Sequence, residues 1–238
     1  MSQLNARLDV IMLATPEIEN YARHSRVLWS EYCTLKGYEF HHYPHNLVPD
    51  MHVNWSKIEM ARRHLASTEA DLIALVDADT YMCNPSTCLT GIWDSYPHKQ
   101  LVFAQDTIKY GNLELPLNIV SAVSHGSLKL PNAGFILMGN SNFTKGIFDE
   151  WLSLARNELK HLSDRHPRNQ RVLWGGLYFQ NRDKIGLLDG CVRRLQSESQ
   201  LDRAIADGCD VVHVRGGMSQ ANVERLRKVV AKAGDPER

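Results

Sequence analysis

The chain has no CxxC pair. Its five cysteines (Cys33, Cys83, Cys88, Cys191 and Cys209) are scattered, and their odd number and spacing argue against both a disulfide framework and a cysteine zinc cluster. They read as reduced, buried thiols. Charge of one sign is also lacking: Lys+Arg and Asp+Glu number 27 each, leaving no field to attract nucleic acid or an anionic membrane. No apolar run approaches the ~20 residues that span a bilayer. The opening stretch MSQLNARLDVIMLA has no signal-peptide layout, because its apolar part is a short strand-like run after a charged residue. A soluble, cytoplasmic chain is the expectation. There is no internal repeat, no low-complexity linker and no G-x-S-x-G elbow, and the last absence argues against acyl transfer by a serine nucleophile.

What is present is an alternation of short apolar runs with longer amphipathic ones over 238 residues, of which 43% are hydrophobic and 23% charged. This pattern predicts an α/β fold with a mostly parallel central sheet flanked by helices. LDVIMLA (8–14) is a first strand, and 18–37 a helix closed by Gly37 at its C-cap. YEFHHY (38–43) alternates as a second strand. NWSKIEMARRHLAS (54–67) places Trp55, Ile58 and Leu65 on one helical face, with Asn54 as the N-cap. LIALV (72–76), LVFAQD (101–106), GFILM (134–138) and DVVHV (210–214) are further strands. Helices are expected over 143–162 and roughly 219–233, and residues 107–131 read as a long irregular segment. One unit over 1–218 is expected, with 219–238 a helix and tail packed on it.

Ligands of open α/β sheets bind beyond the carboxyl ends of the strands. Asp77, Asp79, Asp106 and the turn near Thr15 all follow strand ends in this reading. Asp77 and Asp79, one residue apart at the lip of a buried strand, are either solvated turn residues or jointly face a hard divalent cation such as Mg²⁺ or Mn²⁺. Such an ion neutralises a diphosphate leaving group. In CDVVHVRGGM (209–218), His213 is either a satisfied core histidine or a third ligand. Gly216 and Gly217 would let backbone N–H groups approach phosphate oxygens, and Arg215 either pairs with a phosphate or is solvated.

Three longer stretches then carry a family resemblance: EYCTLKGYEFHHY (31–43), WSKIEMARRHLASTEADLIALVDADTYMCN (55–84) and LPNAGFILMGNSNFTKGIFDEW (130–151). With the late V-x-H segment they resemble, in order and spacing over roughly residues 8–217, the landmarks of glycosyltransferase family 34. Those landmarks are a Y-C-x-x-H-G-Y segment, a W-x-K helix start, a D-x-D strand end, an N-x-G-x-F-L-x-x-N segment and a closing V-x-H-F-x-G. The resemblance implies a single Rossmann-like GT-A domain and a retaining transferase. It would use a nucleotide-diphosphate sugar, UDP-linked in preference to GDP-linked, an oligosaccharide or glycan acceptor, and a divalent metal, usually Mn²⁺. Asp77, Asp79 and His213 match the metal and diphosphate ligands, while Asn132, Ala133 and Gly134 match a segment lining the donor-sugar and acceptor cleft. Gln170 falls where the family has Asp-Gln, but Asn169 stands in place of that Asp and removes the carboxylate. His213 is followed by VRGGM without the family's Lys-Pro, so the diphosphate clamp must differ, with Arg215 as its candidate. Ala14, Thr15 and Tyr21 lie where a GT-A first strand and turn meet the nucleotide base.

Other candidates weigh differently. His41, His42 and His45 in HHYPH lack a fourth ligand, and His41 and His42 should point to opposite faces of a strand, which argues against zinc. Trp55 is expected as a core anchor, and Lys57 either meets a donor phosphate or is a solvated helix lysine. Asp106 is expected to orient an acceptor or donor hydroxyl, and Gln170 or Asn132 to stabilise a cationic sugar through a carbonyl oxygen. Two rival functions stay open: an Asp-dependent phosphatase, against which Tyr81 after the second Asp counts, and a sugar-nucleotide-binding scaffold without turnover.

Overall fold

The computed structural model describes residues 6–109 and 127–233. Its central sheet has six strands in the order β2-β1-β3-β6-β5-β7: β1 (Leu8–Leu13), β2 (Glu39–Tyr43), β3 (Leu72–Asp77), β5 (Leu101–Lys109), β6 (Ser127–Gly139) and β7 (Ile185–Leu187). β1 pairs in parallel with both β2 and β3, and β5 with β7. β6 alone runs against its neighbours β3 and β5, so the sheet is mainly parallel with one reversed strand. β1 and β3 read as near-continuous apolar runs because helices cover both faces.

Helix α1 (Glu19–Lys36) covers one face and ends where expected: Gly37 takes the left-handed conformation (φ 70°) that stops a helix cheaply only at glycine. Helices α2 (Ser56–Ser67) and α4 (Asn142–Arg156) cover the other face, with α3 (Leu89–Asp94) at the edge by β5. Trp55 and Trp151 are fully buried there, each indole N–H donating to a backbone carbonyl, of Ser163 and Asn169 respectively. A second, three-stranded sheet joins β4 (Thr80–Met82), β9 (Val211–Val214) and β8 (Val192–Leu195). The last helix, α8 (Gln220–Ala233), packs Val223, Leu226 and Val230 in one cluster with Leu28 of α1, and Arg227 pairs with Glu31.

Four expectations are corrected. Asn54 is not an N-cap: a 3₁₀ turn over Val53–Trp55 precedes α2, and it is His52 whose ring accepts from the Asn54 N–H. The helix expected over 143–162 breaks at Asn157, whose backbone leaves helical space (φ −116°, ψ −102°) while its side-chain amide donates to the Ser153 carbonyl, and a short helix α5 (Lys160–Ser163) follows. The irregular segment is shorter than expected, since β5 runs to Lys109 and β6 starts at Ser127; the rest of that stretch lies outside the described residues. Asp106 consequently sits inside β5 and not at a strand end, because pairing with β6 resumes beyond an irregularity between Phe103 and Ala104.

That irregularity positions the site. Phe103 faces Ile136 but Ala104 faces Asn132, so Ala133, Gly134 and Phe135 have no partner on β5 and swing toward the carboxyl end of β3. Bulges are a recurrent way of re-aiming a strand at a functional site.

Candidate active site

β3 ends at Asp77, and a tight turn follows, held by the Thr80 hydroxyl donating to the Asp77 carbonyl at 2.7 Å. The chain re-enters the second sheet as β4, where Thr80 lies in register with His213 of β9 and the Val214 N–H donates to the Asp79 carbonyl at 2.9 Å. This pairing brings together groups more than a hundred positions apart in sequence. His213 Nε2 is 3.0 Å from Asp79 Oδ1, and one ligand atom each from Asp77, Asp79 and His213 lie within 4.8 Å of one another.

Two neighbours hold this constellation. Lys57, at the start of α2, donates from Nζ to Asp77 Oδ1 (2.6 Å) and to the Ala133 carbonyl (2.9 Å). It is therefore neither solvated nor free to serve a phosphate alone; it orients Asp77. Gly134 faces the His213 ring so closely that a Cβ there would lie 2.6 Å from Cε1 and Nδ1. The imidazole occupies the space a side chain would have taken.

The electrostatics are those of an ion pair. Burial would raise the Asp79 carboxyl, but the His213 hydrogen bond and charge, the Gly216 N–H and the Lys57 charge hold it below its ordinary range. Burial would lower His213, yet its bond to Asp79 and the charges of Asp79 and Asp77 lift it above the ordinary imidazole value. Two carboxylates and an imidazole within one coordination sphere are the donor set of a divalent cation that prefers oxygen and accepts nitrogen, so the residues fit Mn²⁺ or Mg²⁺.

A cleft of about 230 Å³ opens beside the carboxylates, lined by Thr15, Ile18, Tyr21, Asn54, Lys57 and Asp79 among others. Thr15 and Tyr21 thus line the cleft beside Asp77 and Asp79. Burial, then the charges of Asp79 and Asp77, push the Tyr21 phenol up to about 12, so it stays protonated. Ala14 does not line this cleft: its side chain is buried in the core and its carbonyl meets His42 Nε2 at 3.0 Å. Past β9, Gly216 (φ 79°) donates to Asp79 Oδ2 at 3.4 Å, and Gly217 (φ 93°) presses against Tyr21, where a Cβ would come within 2.3 Å. Both glycines hold a backbone conformation that other residues rarely adopt. Arg215 is exposed on the same loop.

A second group adjoins the first through β6. Asp106 Oδ2 accepts from Asn132 Nδ2 (2.8 Å) and from Gln170 Nε2 (3.3 Å), and Arg194 of β8 lies 3.5 Å away. Asn132 Oδ1 accepts the Gly134 N–H at 2.7 Å, tying this group to the His213 side. Gln170 lies on the short helix α6 (Arg168–Val172), while Asn169 is buried and donates to the Asn54 carbonyl. A cavity of about 520 Å³ opens here, lined by Gln105, Asp106, Trp174, Val192, Arg193 and Arg194 among others. Nearby His166 is held below the ordinary imidazole range by burial and then by Arg215, Arg168, Arg194 and Arg171, which marks this rim as basic. Arg194 and Trp174, whose indole donates to the Pro131 carbonyl, escaped the sequence reading.

No family model matches the sequence, and no curated protein matches it. Solved structures do. A glycosyltransferase involved in the glycosylation of the major capsid of PBCV-1 superposes with a TM-score of 0.64 at 16% identity, covering 93% of this chain and 99% of that one. The galactosyltransferase LgtC, in complex with donor and acceptor sugar analogs, gives 0.54 at 14% identity, covering 94% and 95%. Mouse xyloside xylosyltransferase 1, in its apo form, gives 0.52 at 12% identity, covering 90% and 99%. At such identities the likeness is one of fold, and the fold is the GT-A type of these glycosyltransferases.

Proposed function

We propose that the protein is a metal-dependent, retaining glycosyltransferase of the family 34 kind. It moves a hexose or pentose from a nucleotide-diphosphate sugar, UDP-linked by preference and GDP-linked otherwise, to a saccharide acceptor. The observation that carries this reading is the meeting of Asp77, Asp79 and His213 beside a cleft at the carboxyl end of the sheet. We take residues 1–218 as the transferase unit, with the C-terminal helix packed on it.

Asp77, Asp79 and His213 would hold Mn²⁺ or Mg²⁺, which when bound neutralises the charge growing on the leaving diphosphate. Lys57 keeps one Asp77 oxygen fixed, leaving the other to face the ligand. Tyr21, Thr15 and Asn54 wall the nucleoside end of the cleft. Gly216 and Gly217 let the loop after β9 pass close to the cleft, their N–H groups tied to Asp79 and to the Val214 carbonyl, and Arg215 supplies the guanidinium that replaces the family's lysine.

At the sugar end, Asn132 and Gln170 both turn their amide nitrogens to Asp106. The Asn132 carbonyl oxygen is committed to the Gly134 N–H. Gln170 is therefore the side chain whose carbonyl oxygen faces the sugar as it takes on positive charge, and Asp106 orients a hydroxyl with its remaining acceptor capacity. The position that matches the family's Asp beside Gln170 carries Asn169, turned to the Asn54 carbonyl, so a covalent carboxylate nucleophile is not assigned there. Attack by the acceptor hydroxyl on the face the diphosphate leaves accounts for retention, with the departing phosphate taking the proton.

A thermal-shift panel of UDP-, GDP- and CMP-sugars with and without Mn²⁺ tests the reading, because ligand binding raises apparent stability by mass action. A shift with a UDP-sugar that needs Mn²⁺ and vanishes with EDTA is expected. Turnover of phosphomonoesters with no response to any sugar nucleotide would instead favour the phosphatase.

A further inference from the structure

Nearer the amino end of β1, on β1, β2 and α2, lies a second constellation. Strand pairing sets Asp9 against Glu39 and Ile11 against His41, so the side-chain alternation of β1 and β2 puts Asp9, Glu39, His41 and Tyr43 on one face. That face is covered by α2, which lowers His64 from its last turn onto it. Asp9 and His64 are 5% and 4% exposed. His64 Nε2 lies 2.8 Å from Asp9 Oδ2, and His41 Nε2 lies 3.6 Å from the same oxygen and 3.4 Å from Glu39 Oε2.

We propose that Asp9, His41 and His64 form a three-ligand divalent transition-metal site for which zinc is the fitting ion, its fourth position facing the solvent side where Glu39 is exposed. Zinc binds imidazole and carboxylate at about 2.0–2.1 Å in a tetrahedron, which separates neighbouring ligand atoms by about 3.4 Å. The His64–Asp9 and His41–Asp9 spacings of 2.8 and 3.6 Å bracket that value, and the three ligand atoms all lie within 4.8 Å of one another. His41 Nε2 is buried, yet among the described residues it makes no hydrogen bond. It is a nitrogen aimed at two carboxylates with nothing yet to share.

The supporting partners are those of a metal site. Tyr43 Oη meets His64 Nδ1 at 2.8 Å, and the Thr68 hydroxyl donates to Asp9 Oδ2 at 2.6 Å. Such outer contacts fix the ring and the carboxylate for their ligand. The ligands come from β1, β2 and α2, so the ion pins the edge strand β2 to the sheet and to the helix that carries Lys57. Taken alone, HHYPH lacks the ligands for zinc; the further ligands of the proposed site come from β1 and α2.

Chelator-stripped wild-type protein, His41→Ala, His41→Gln and His213→Ala are titrated with Zn²⁺ alone and, in parallel, with Co²⁺ as a visible reporter. Wild type should bind one equivalent more than either His41 variant, with zinc affinity at this site falling about 100-fold or more in both. The intense visible absorption of tetrahedral cobalt should survive in His213→Ala and disappear without His41. Zinc stoichiometry and cobalt spectrum unchanged in both His41 variants would overturn the site, as would loss of all zinc binding in His213→Ala. Because none of these readouts involves sugar transfer, failure here leaves the transferase reading standing, and the reverse also holds.

Discussion

Two clusters of aspartate and histidine stand at different places on the sheets: Asp77, Asp79 and His213 at the carboxyl end of β3, and Asp9, His41 and His64 nearer the amino end of β1. The donor atoms are alike; the surroundings are not. At the amino end, Asp9 and His64 are buried, and Tyr43 and Thr68 take up their outer valences. At the carboxyl end all three ligands are partly exposed beside a cleft walled by Thr15, Tyr21 and Asn54. Donors whose outer valences the fold takes up hold an ion in place, whereas donors walling a ligand cleft can also bring substrate to it. Strand polarity decides which end becomes which, since the loops diverge at the carboxyl ends and make room for a ligand.

The sharpest test of that asymmetry is Asp79→Ala. At the open end it should remove metal-dependent donor binding and with it transfer, a loss exceeding the roughly 10²–10³-fold carried by a single transition-state donor. Donor titration with and without EDTA checks it; wild-type nucleotide affinity insensitive to EDTA would break the comparison. Gln170→Ala comes next. Its proposed carbonyl contact forms with the cationic sugar, so turnover should fall by about 10²–10³ while donor affinity changes little. Steady-state kinetics beside donor binding separate the two, and unchanged turnover would remove Gln170 from the reaction. Gly134→Ala is smaller, because the His213 ring has some room to shift. A Cβ 2.6 Å from that ring should weaken metal affinity by roughly 10–100-fold, the size of other disturbances just outside a metal's own ligands.

Legibility followed length and period. β1, β3, α1 and α2 were readable because each carries enough apolar positions to declare a period, and Gly37 closes α1 for a reason local to glycine. β4, β7 and β8, with three, three and four residues, are too short to show alternation. The D-x-D pair and a histidine before two glycines were visible as chemistry. Their meeting was not, because it depends on Thr80 pairing with His213 across the second sheet. The Lys57 contact was hidden for the same reason: its partner Asp77 lies on a strand remote in sequence. Asp106 was taken for a strand end because its run of apolar residues stops there, although β-pairing continues past it. His64 passed unnoticed because nothing local links a histidine inside a helix to a carboxylate on β1.

Helix α2 repeats the contrast over two residues, and the smallest prediction rests on it. Lys57 serves the open site, while Glu59 accepts from Arg62 Nε (2.7 Å) and Arg63 Nε (2.6 Å) with its own side chain only 7% exposed. The Arg62 hydrogen bond lowers the Glu59 carboxyl below its ordinary value of 4.5; burial opposes this, and the Arg63 hydrogen bond and both guanidinium charges reinforce it. A carboxyl whose folded value is depressed contributes stability that is present above its unfolded value and lost as pH falls through the folded one. The two guanidiniums are themselves well exposed, so screening keeps the effect small, and Glu59→Gln should lower stability by about 1 kcal/mol at neutral pH. Transfer activity should be untouched, because Glu59 faces neither cavity of the active site. Urea unfolding of both proteins at neutral pH and again below pH 4.5 makes the measurement. The gap between them should close on acidification. A gap that persists would mean that Glu59 supports the helix through packing and not through its charge.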